Sequence, residues 1–157
     1  MPPEAGPAPV HRLGARNGWV VAAAAALYLA AGFALWWHAW RAPGSTIATA
    51  SADPDQNVWW LAFLPHALGH AMSPFFTRAM YFPSGVNVVS NTSFPAVALL
   101  LSPVTALFGP LVSFNLAVSV VPAANAFTAF VVFRRYVQWD AARFVGALLY
   151  GFGPFVG

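Results

Sequence analysis

Long apolar stretches separated by short polar ones dominate this chain. Residues 19–40 carry no formal charge, and a helix of about 22 residues would be roughly 33 Å long, enough to cross a ~30 Å hydrocarbon core. The stretch ends in Trp36, Trp37 and Trp40, which is typical of an interfacial aromatic belt. A cleaved signal peptide is the alternative, but its apolar region would be shorter and followed by small residues. We therefore predict a first membrane span here.

A second charge-free stretch lies between Arg78 and Arg134. It is long enough for two spans joined by a tight connection, and we place them at residues 94–108 and 112–133. The Gly109-Pro110 step between them is a turn signal. The stretch therefore predicts two more crossings.

A fourth apolar run occupies residues 141–157, and it includes Gly151, Gly153 and Pro154. About 17 residues with these helix breakers make a poor terminal span. We therefore expect the chain to be a truncated N-terminal fragment of a larger protein.

The arginines give conflicting signals about topology. Arg12 and Arg16 precede the first span and only Arg41 follows it closely, which favours a cytoplasmic N-terminus and an outer loop at residues 41–92. After three full spans, however, three further arginines would lie outside, against the usual bias: Arg134, Arg135 and Arg143. If residues 94–108 form a re-entrant or interfacial element instead, these arginines return to the cytoplasm. The sequence leaves both topologies open.

Composition supports the membrane interpretation. The chain is 59% hydrophobic and 7% charged, which leaves too little polar surface for a water-soluble globule. Its basic residues are all arginines and are scattered, so no patch follows a phosphate backbone and nucleic acid is not expected as a partner. Residues 1–17 have no apolar periodicity and predict a disordered tail, and 18–157 a helical membrane domain. The Ala-, Val-, Pro-, Gly- and Arg-rich usage indicates a bacterial protein, hence a multi-pass protein of the plasma membrane.

The outer loop holds much of the polar chemistry of the chain. Within it Asp53 is placed as a helix N-cap, Pro54 as the first helical residue and Gln56 as the partner that closes a capping box. A cap alone would explain Asp53. The pattern predicts a helix that begins here.

One face of this helix combines acidic, aromatic and imidazole side chains. Spacings of four, four, three and four residues join its members: Asp55, Trp59, Phe63, His66 and His70. We expect the helix to lie along the membrane surface and to bend at Pro65. Asp55 and His66 would be about 16 Å apart on a straight helix, so they cannot share one small reaction centre. His66 and His70 are four residues apart, so both imidazoles could bind one metal ion. Because no Glu lies beside them as in His-Glu-x-x-His proteases, we favour a role at the membrane interface without a metal.

Short motifs recur in order along residues 52–157: Asp53-x-x-Gln56 with Trp59, Leu61-Ala62-Phe63, His66-Ala67-Leu68, Ser73-Pro74-Phe75, Tyr81-x-Pro83-x-Gly85-Val86-Asn87, Asn91-Thr92-Ser93, Pro103-Val104-Thr105, Phe108-Gly109-Pro110 and Tyr150-Gly151-Phe152-Gly153-Pro154. Together they resemble the N-terminal part of large multi-span bacterial glycosyltransferases of the GT-C type. The resemblance implies an all-α fold of polytopic transmembrane helices, with an interfacial helix in the first extracytoplasmic loop.

The resemblance also implies an activity. Such enzymes move a sugar from a polyprenyl-phosphate donor to an acceptor on the outer face of the membrane. An acid in the first outer loop acts as general base or helps to hold a divalent cation, Mg²⁺ or Mn²⁺. Carried over, this catalytic or metal-binding residue is Asp53, with Asp55 as the alternative. A carboxylate at a helix N-terminus stays ionised, which suits either role.

The same resemblance suggests substrate contacts. Gln56 could orient a sugar hydroxyl and Trp59 could stack on a sugar or lipid, and His66 and His70 complete the candidate substrate-binding residues. The expected partners are membrane lipids and a lipid-linked sugar donor.

Two interpretations without catalysis remain open. In a transporter or flippase, Pro103 and Pro122 would kink gating helices. The predicted spans, however, contain no ionisable residue except His38 near one end, and coupled transport usually needs charge inside the bundle. The other alternative is an accessory membrane protein.

Overall fold

The computed structural model describes residues 18–49, 54–90 and 94–153, which are mostly helical. The helices, in chain order, are α1 (Gly18–Leu35), α2 (Trp37–Trp40), α3 (Asp55–Gly69), α4 (Pro95–Leu100), α5 (Ser102–Phe108), α6 (Pro110–Phe133) and α7 (Asp140–Gly151). A 3₁₀ turn covers Val88–Ser90. The all-α prediction also missed a small antiparallel hairpin, in which β1 (Phe76–Thr77) pairs with β2 (Val86–Asn87).

Two helices, α1 and α6, are long and apolar enough to cross a membrane. Their 18 and 24 residues correspond to roughly 27 and 36 Å. The predicted first span, 19–40, is interrupted at Trp36, which leaves helical geometry at φ −107° and ψ 22°. The predicted third span, 112–133, matches α6, which begins at Pro110 after Gly109 has turned the chain with a φ of 88°.

The predicted span 94–108 does not form one helix. It consists of α4 and α5, with six and seven residues, separated at Leu101. Pro103 has no N–H to donate to the carbonyl of Leu99, so a continuous ladder of hydrogen bonds is impossible there. Neither helix is long enough to cross a ~30 Å core. Neither is among the described helices long and apolar enough to cross a membrane. The full span over 94–108 and the re-entrant or interfacial element both stay predictions.

Helices α1 and α6 pack side by side in opposite directions. Tyr28 contacts Phe130 edge to face, with ring centroids 6.3 Å apart. One turn later in α1, Gly32 faces the backbone of Ser119, and an added Cβ would lie 2.1 Å from the Ser119 carbonyl oxygen. Only glycine allows the two backbones to approach this closely, as in small-residue helix contacts in membranes.

Helix α7 packs on the C-terminal half of α6, also in the opposite direction. Gly146 in its middle faces Phe133, and Gly151 at its end faces Ala126 and Pro122. With 12 residues, or about 18 Å, α7 is too short to cross a bilayer core on its own. Residues 154–157 of the predicted fourth run lie outside the described residues.

Helix α3 lies over α4 and the N-terminal half of α6. It continues through Pro65 to Gly69. Its buried face forms a cluster with α4, α6 and the 3₁₀ turn: Trp60, Leu61, Phe63, Leu64, Ala67, Val88, Ala98 and Phe114. This packing fixes α3 at the end of the bundle where α6 begins, which we call the loop end.

The opposite end of the bundle, which we call the arginine end, collects the start of α1, the end of α6 and the start of α7. Trp19, Phe130 and Asp140 line one groove there. Arg134 and Arg135 follow α6 directly, so they lie at the same end as the start of α1.

Candidate functional site

A groove of about 430 Å³ opens at the loop end, between the first turns of α3 and the hairpin segment. Three of the predicted site residues line it together. The lining residues are Asp55, Gln56, Trp59, Trp60, Met80 and Val88. The groove has a volume typical of small-molecule sites, and it combines a carboxylate, an amide and indoles.

Asp55 is the charged group of this groove. It lies exposed in the first turn of α3. The helix start is defined by the backbone: Val58 N–H donates to the Pro54 carbonyl at 3.0 Å. An ionised, accessible carboxylate can accept a proton from a hydroxyl group or bind a hard cation.

Asp53, the residue expected to be catalytic, lies outside the described residues, as does the predicted cap that it would form. Pro54, predicted as the first helical residue, is the N-cap of α3 in the structure and has helical dihedral angles, φ −79° and ψ −19°. Asp55 is therefore the acid whose position the structure gives.

Aromatic side chains form one wall of the groove. Trp59 stacks on Phe63, with ring centroids 4.4 Å apart and planes 11° apart, as the four-residue spacing predicts. It also meets Trp60 edge to face at 5.6 Å. Trp60 is buried whereas Trp59 remains half-buried, so Trp59 presents aromatic surface to the groove on a rigid support.

The two histidines lie elsewhere. His66 and His70 are exposed at the C-terminal end of α3 and do not line the groove. Their rings are 4.2 Å apart, and His70 Nδ1–H donates to the His66 carbonyl at 2.8 Å. The structure therefore separates the imidazole pair from Asp55, in line with the distance expected along one helix.

A metal site is incomplete within the described ranges. No group of three or more His, Cys, Asp or Glu side chains there is placed to hold an ion. At the groove, Asp55 supplies carboxylate oxygens and Gln56 an amide oxygen, which are the donor types that Mg²⁺ and Mn²⁺ take.

The sequence analysis missed Asn115, which is fully buried in α6. Its Oδ1 accepts the Ala48 N–H at 2.8 Å. Its Nδ2 donates to the carbonyls of Thr46 at 2.8 Å and Pro43 at 3.2 Å. We call this set of three contacts the Asn115 knot. The available signal was an Asn in the first turns of a predicted span, because amides at that depth need partners.

A second polar contact lies one turn below the Asn115 knot. Trp40 Nε1–H donates to Ser119 Oγ at 3.0 Å, and Ser119 Oγ–H donates to the Asn115 carbonyl at 2.8 Å. The segment that leaves the first span is thus hydrogen-bonded to α6 at its start and through residues 43–48. It leads to the acidic start of α3.

No protein-family model, no curated protein and no solved structure matches this chain. The resemblance to GT-C glycosyltransferases accordingly rests on the sequence motifs. The groove at the loop end is a structural observation that does not depend on those motifs.

Proposed function

We propose that this chain contributes the outer-loop acid of a GT-C-type membrane glycosyltransferase. The enzyme would transfer a sugar from a polyprenyl-phosphate donor to an acceptor at the outer face of a bacterial plasma membrane. The observation that carries the proposal is the grouping of Asp55, Gln56 and Trp59 in one groove at the loop end. Asp53 joins this site through its place in the sequence.

The membrane part of the proposal is supported by α1 and α6, which have the length and composition of spans. With two crossings, the N-terminus and the arginine end lie in the cytoplasm, and the loop end lies outside. The short helices α4 and α5 then lie at the outer surface or re-enter the bilayer. The groove would face the side on which lipid-linked sugars are consumed.

The chemistry of the groove suits glycosyl transfer. The carboxylate of Asp53 or Asp55 takes the proton from the acceptor hydroxyl as its oxygen forms a bond to the anomeric carbon. The bond between that carbon and the donor phosphate oxygen breaks, and the polyprenyl phosphate leaves with the electron pair. Gln56 can orient a sugar hydroxyl, and Trp59 offers an aromatic surface of the kind on which apolar sugar faces pack. A divalent cation, if bound at these carboxylates, would neutralise phosphate charge.

The test is sugar transfer in membranes that contain the complete protein, using a panel of short-chain polyprenyl-phosphate sugars. Asp53→Asn and Asp55→Asn are assayed singly and together, because either acid can act as the base. We expect one single variant, and the double variant, to lose about 10²–10⁴-fold in rate, the usual contribution of a general base.

Asp140→Asn is the matched control, since it makes the same change at the arginine end. Full transfer by the double variant would contradict the proposal. Uptake of labelled substrate into vesicles by that variant would favour the transporter alternative, and the absence of both activities in the unmodified protein would favour an accessory role.

A further inference from the structure

A second groove, of about 260 Å³, lies at the arginine end between the start of α1 and the start of α7. We call it the α1–α7 groove. It is apolar apart from Asp140, and Phe130 of α6 contributes to its lining. Trp19, at its α1 side, is 73% exposed. An apolar channel that ends beside an exposed indole at the end of a spanning helix has the form of an acyl-chain site at the level of the lipid headgroups.

The charges at the end of this groove are unbalanced. In the described ranges the one ion pair joins Arg143 to Asp140, so the carboxylate at the groove is already neutralised. Arg143 also donates to the Gln138 carbonyl at 3.1 Å, which holds its guanidinium in the turn. Arg134 and Arg135 have no carboxylate partner among the residues described. Among the described residues, the arginine end therefore carries two positive charges without a carboxylate partner.

Arg134 does not line the α1–α7 groove but lies one helical turn beyond Phe130, which does. It follows Phe130 by four residues, and its N–H donates to the Phe130 carbonyl at 3.2 Å, so the two residues lie on the same face of α6. Tyr136 and Trp139, in the same turn, are each 78% exposed. Exposed aromatic rings beside arginines are typical of the headgroup region.

We propose that the α1–α7 groove binds an anionic phospholipid, with an acyl chain along Phe130 and the phosphate on Arg134. Neither Arg134 nor Arg135 lines the groove, and Arg135 adds a second positive charge beside Arg134. A protein helix laid in the same groove would leave the guanidinium groups unpaired, whereas an amphiphile with a negative head satisfies both parts of the site. The site is at the opposite end of the bundle from Asp55, so it is separate from the sugar-transfer site.

The test uses the full chain in nanodiscs made of equimolar phosphatidylglycerol and phosphatidylcholine. Lipids that remain bound are counted by native mass spectrometry after mild release. We expect phosphatidylglycerol to be retained preferentially, and Arg134→Gln to lower that preference about fivefold, the effect of one basic residue near an anionic surface. Arg78→Gln, which removes the same charge from the hairpin segment at the loop end, should leave it unchanged.

A second variant tests the groove rather than the charge. Ala23→Phe fills the half-buried α1 side of the groove and should reduce phosphatidylglycerol retention while Arg134 is intact. Equal retention of the two lipids, or equal effects of Arg134→Gln and Arg78→Gln, would overturn the proposal. Displacement of the lipid by millimolar inorganic phosphate would also overturn it, because the site would then recognise a phosphate ion without the acyl chain.

Discussion

The two halves of α6 are held by different chemistry. In the N-terminal half, Asn115 and Ser119 are fully buried and make hydrogen bonds to residues 40–48. In the C-terminal half, the buried side chains that face α1 and α7 are small or aromatic, among them Ala126 and Phe130. Both halves pack against helices, but only the N-terminal half also meets an irregular segment, residues 41–48, and Asn115 makes its side-chain hydrogen bonds to that segment.

The contrast follows from backbone hydrogen bonding. A helix satisfies its own N–H and C=O groups, so a neighbouring helix needs only shape to pack on it. An irregular segment carries groups that water or a side chain must satisfy. The Asn115 knot supplies three such bonds where the chain leaves the first span. Side-chain chemistry in an apolar helix therefore indicates what kind of segment packs against it.

The largest expected effect is a loss of stability in the apolar C-terminal half of α6, where α7 packs closely. A Cβ at Gly151 would lie 2.5 Å from Ala126 Cβ and 2.6 Å from the Pro122 carbonyl oxygen, so Gly151→Val must push α7 away from α6. We expect a loss of about 3 kcal/mol in the free energy of unfolding, the upper part of the usual range for overpacking. Unfolding in mixed detergent micelles measures it. Gly69→Val, at the last residue of α3 with open space around it, is the control, and an equal loss there would show that the close contact is unimportant.

A smaller effect is expected in the polar half. Asn115→Ala leaves two carbonyls and the Ala48 N–H without their partner, which should cost about 2 kcal/mol. Hydrogen exchange at the Ala48 amide should accelerate by more than global unfolding explains. Asn125→Ala makes the same change at an exposed position of α6 and should do neither. Unchanged exchange at Ala48 would mean that the knot does not hold the loop.

The smallest effect concerns a polar contact within the apolar half. Tyr28 is fully buried, stacks on Phe144 with ring centroids 4.9 Å apart, and donates its hydroxyl to the Phe144 carbonyl at 3.1 Å. Tyr28→Phe keeps the ring and should cost below about 1 kcal/mol, as membrane hydrogen bonds usually do. Tyr150→Phe, at an exposed position, is the reference in the same unfolding assay. A loss of several kcal/mol would show that the apolar half also depends on hydrogen bonding.

The local features of the fold were readable from the sequence. Apolar length predicted α1 and α6, the Gly109-Pro110 step predicted the start of α6, and four-residue spacing predicted the contact of Trp59 with Phe63. Each of these features depends on residues that are close together in the chain, and for such residues helix geometry alone determines which side chains are in contact. The grouping of Asp55, Gln56 and Trp59 on the first turns of α3 is of the same kind.

Contacts between residues far apart in the chain could not be predicted from the sequence. Met80 and Val88 join the groove only because the hairpin folds back beside α3. Asn115 meets a segment that lies about 70 residues earlier in the chain, and no periodicity encodes that pairing. The interruption at Leu101 is local, and the sequence predicted a kink there from Pro103, although not two separate helices.

The Asn115 knot also sets an order of events during biosynthesis. Ala48 and Asn115 are separated by 67 residues, so at ~5–20 residues per second the ribosome makes the amide roughly 3–13 s after the loop that it binds. Until Asn115 is available, the backbone N–H and C=O groups of residues 43–48 must be hydrogen-bonded by water. This segment therefore stays solvated until α6 has been synthesised. The acidic start of α3 can therefore reach its final position only once α6 has been synthesised and has packed beside the loop.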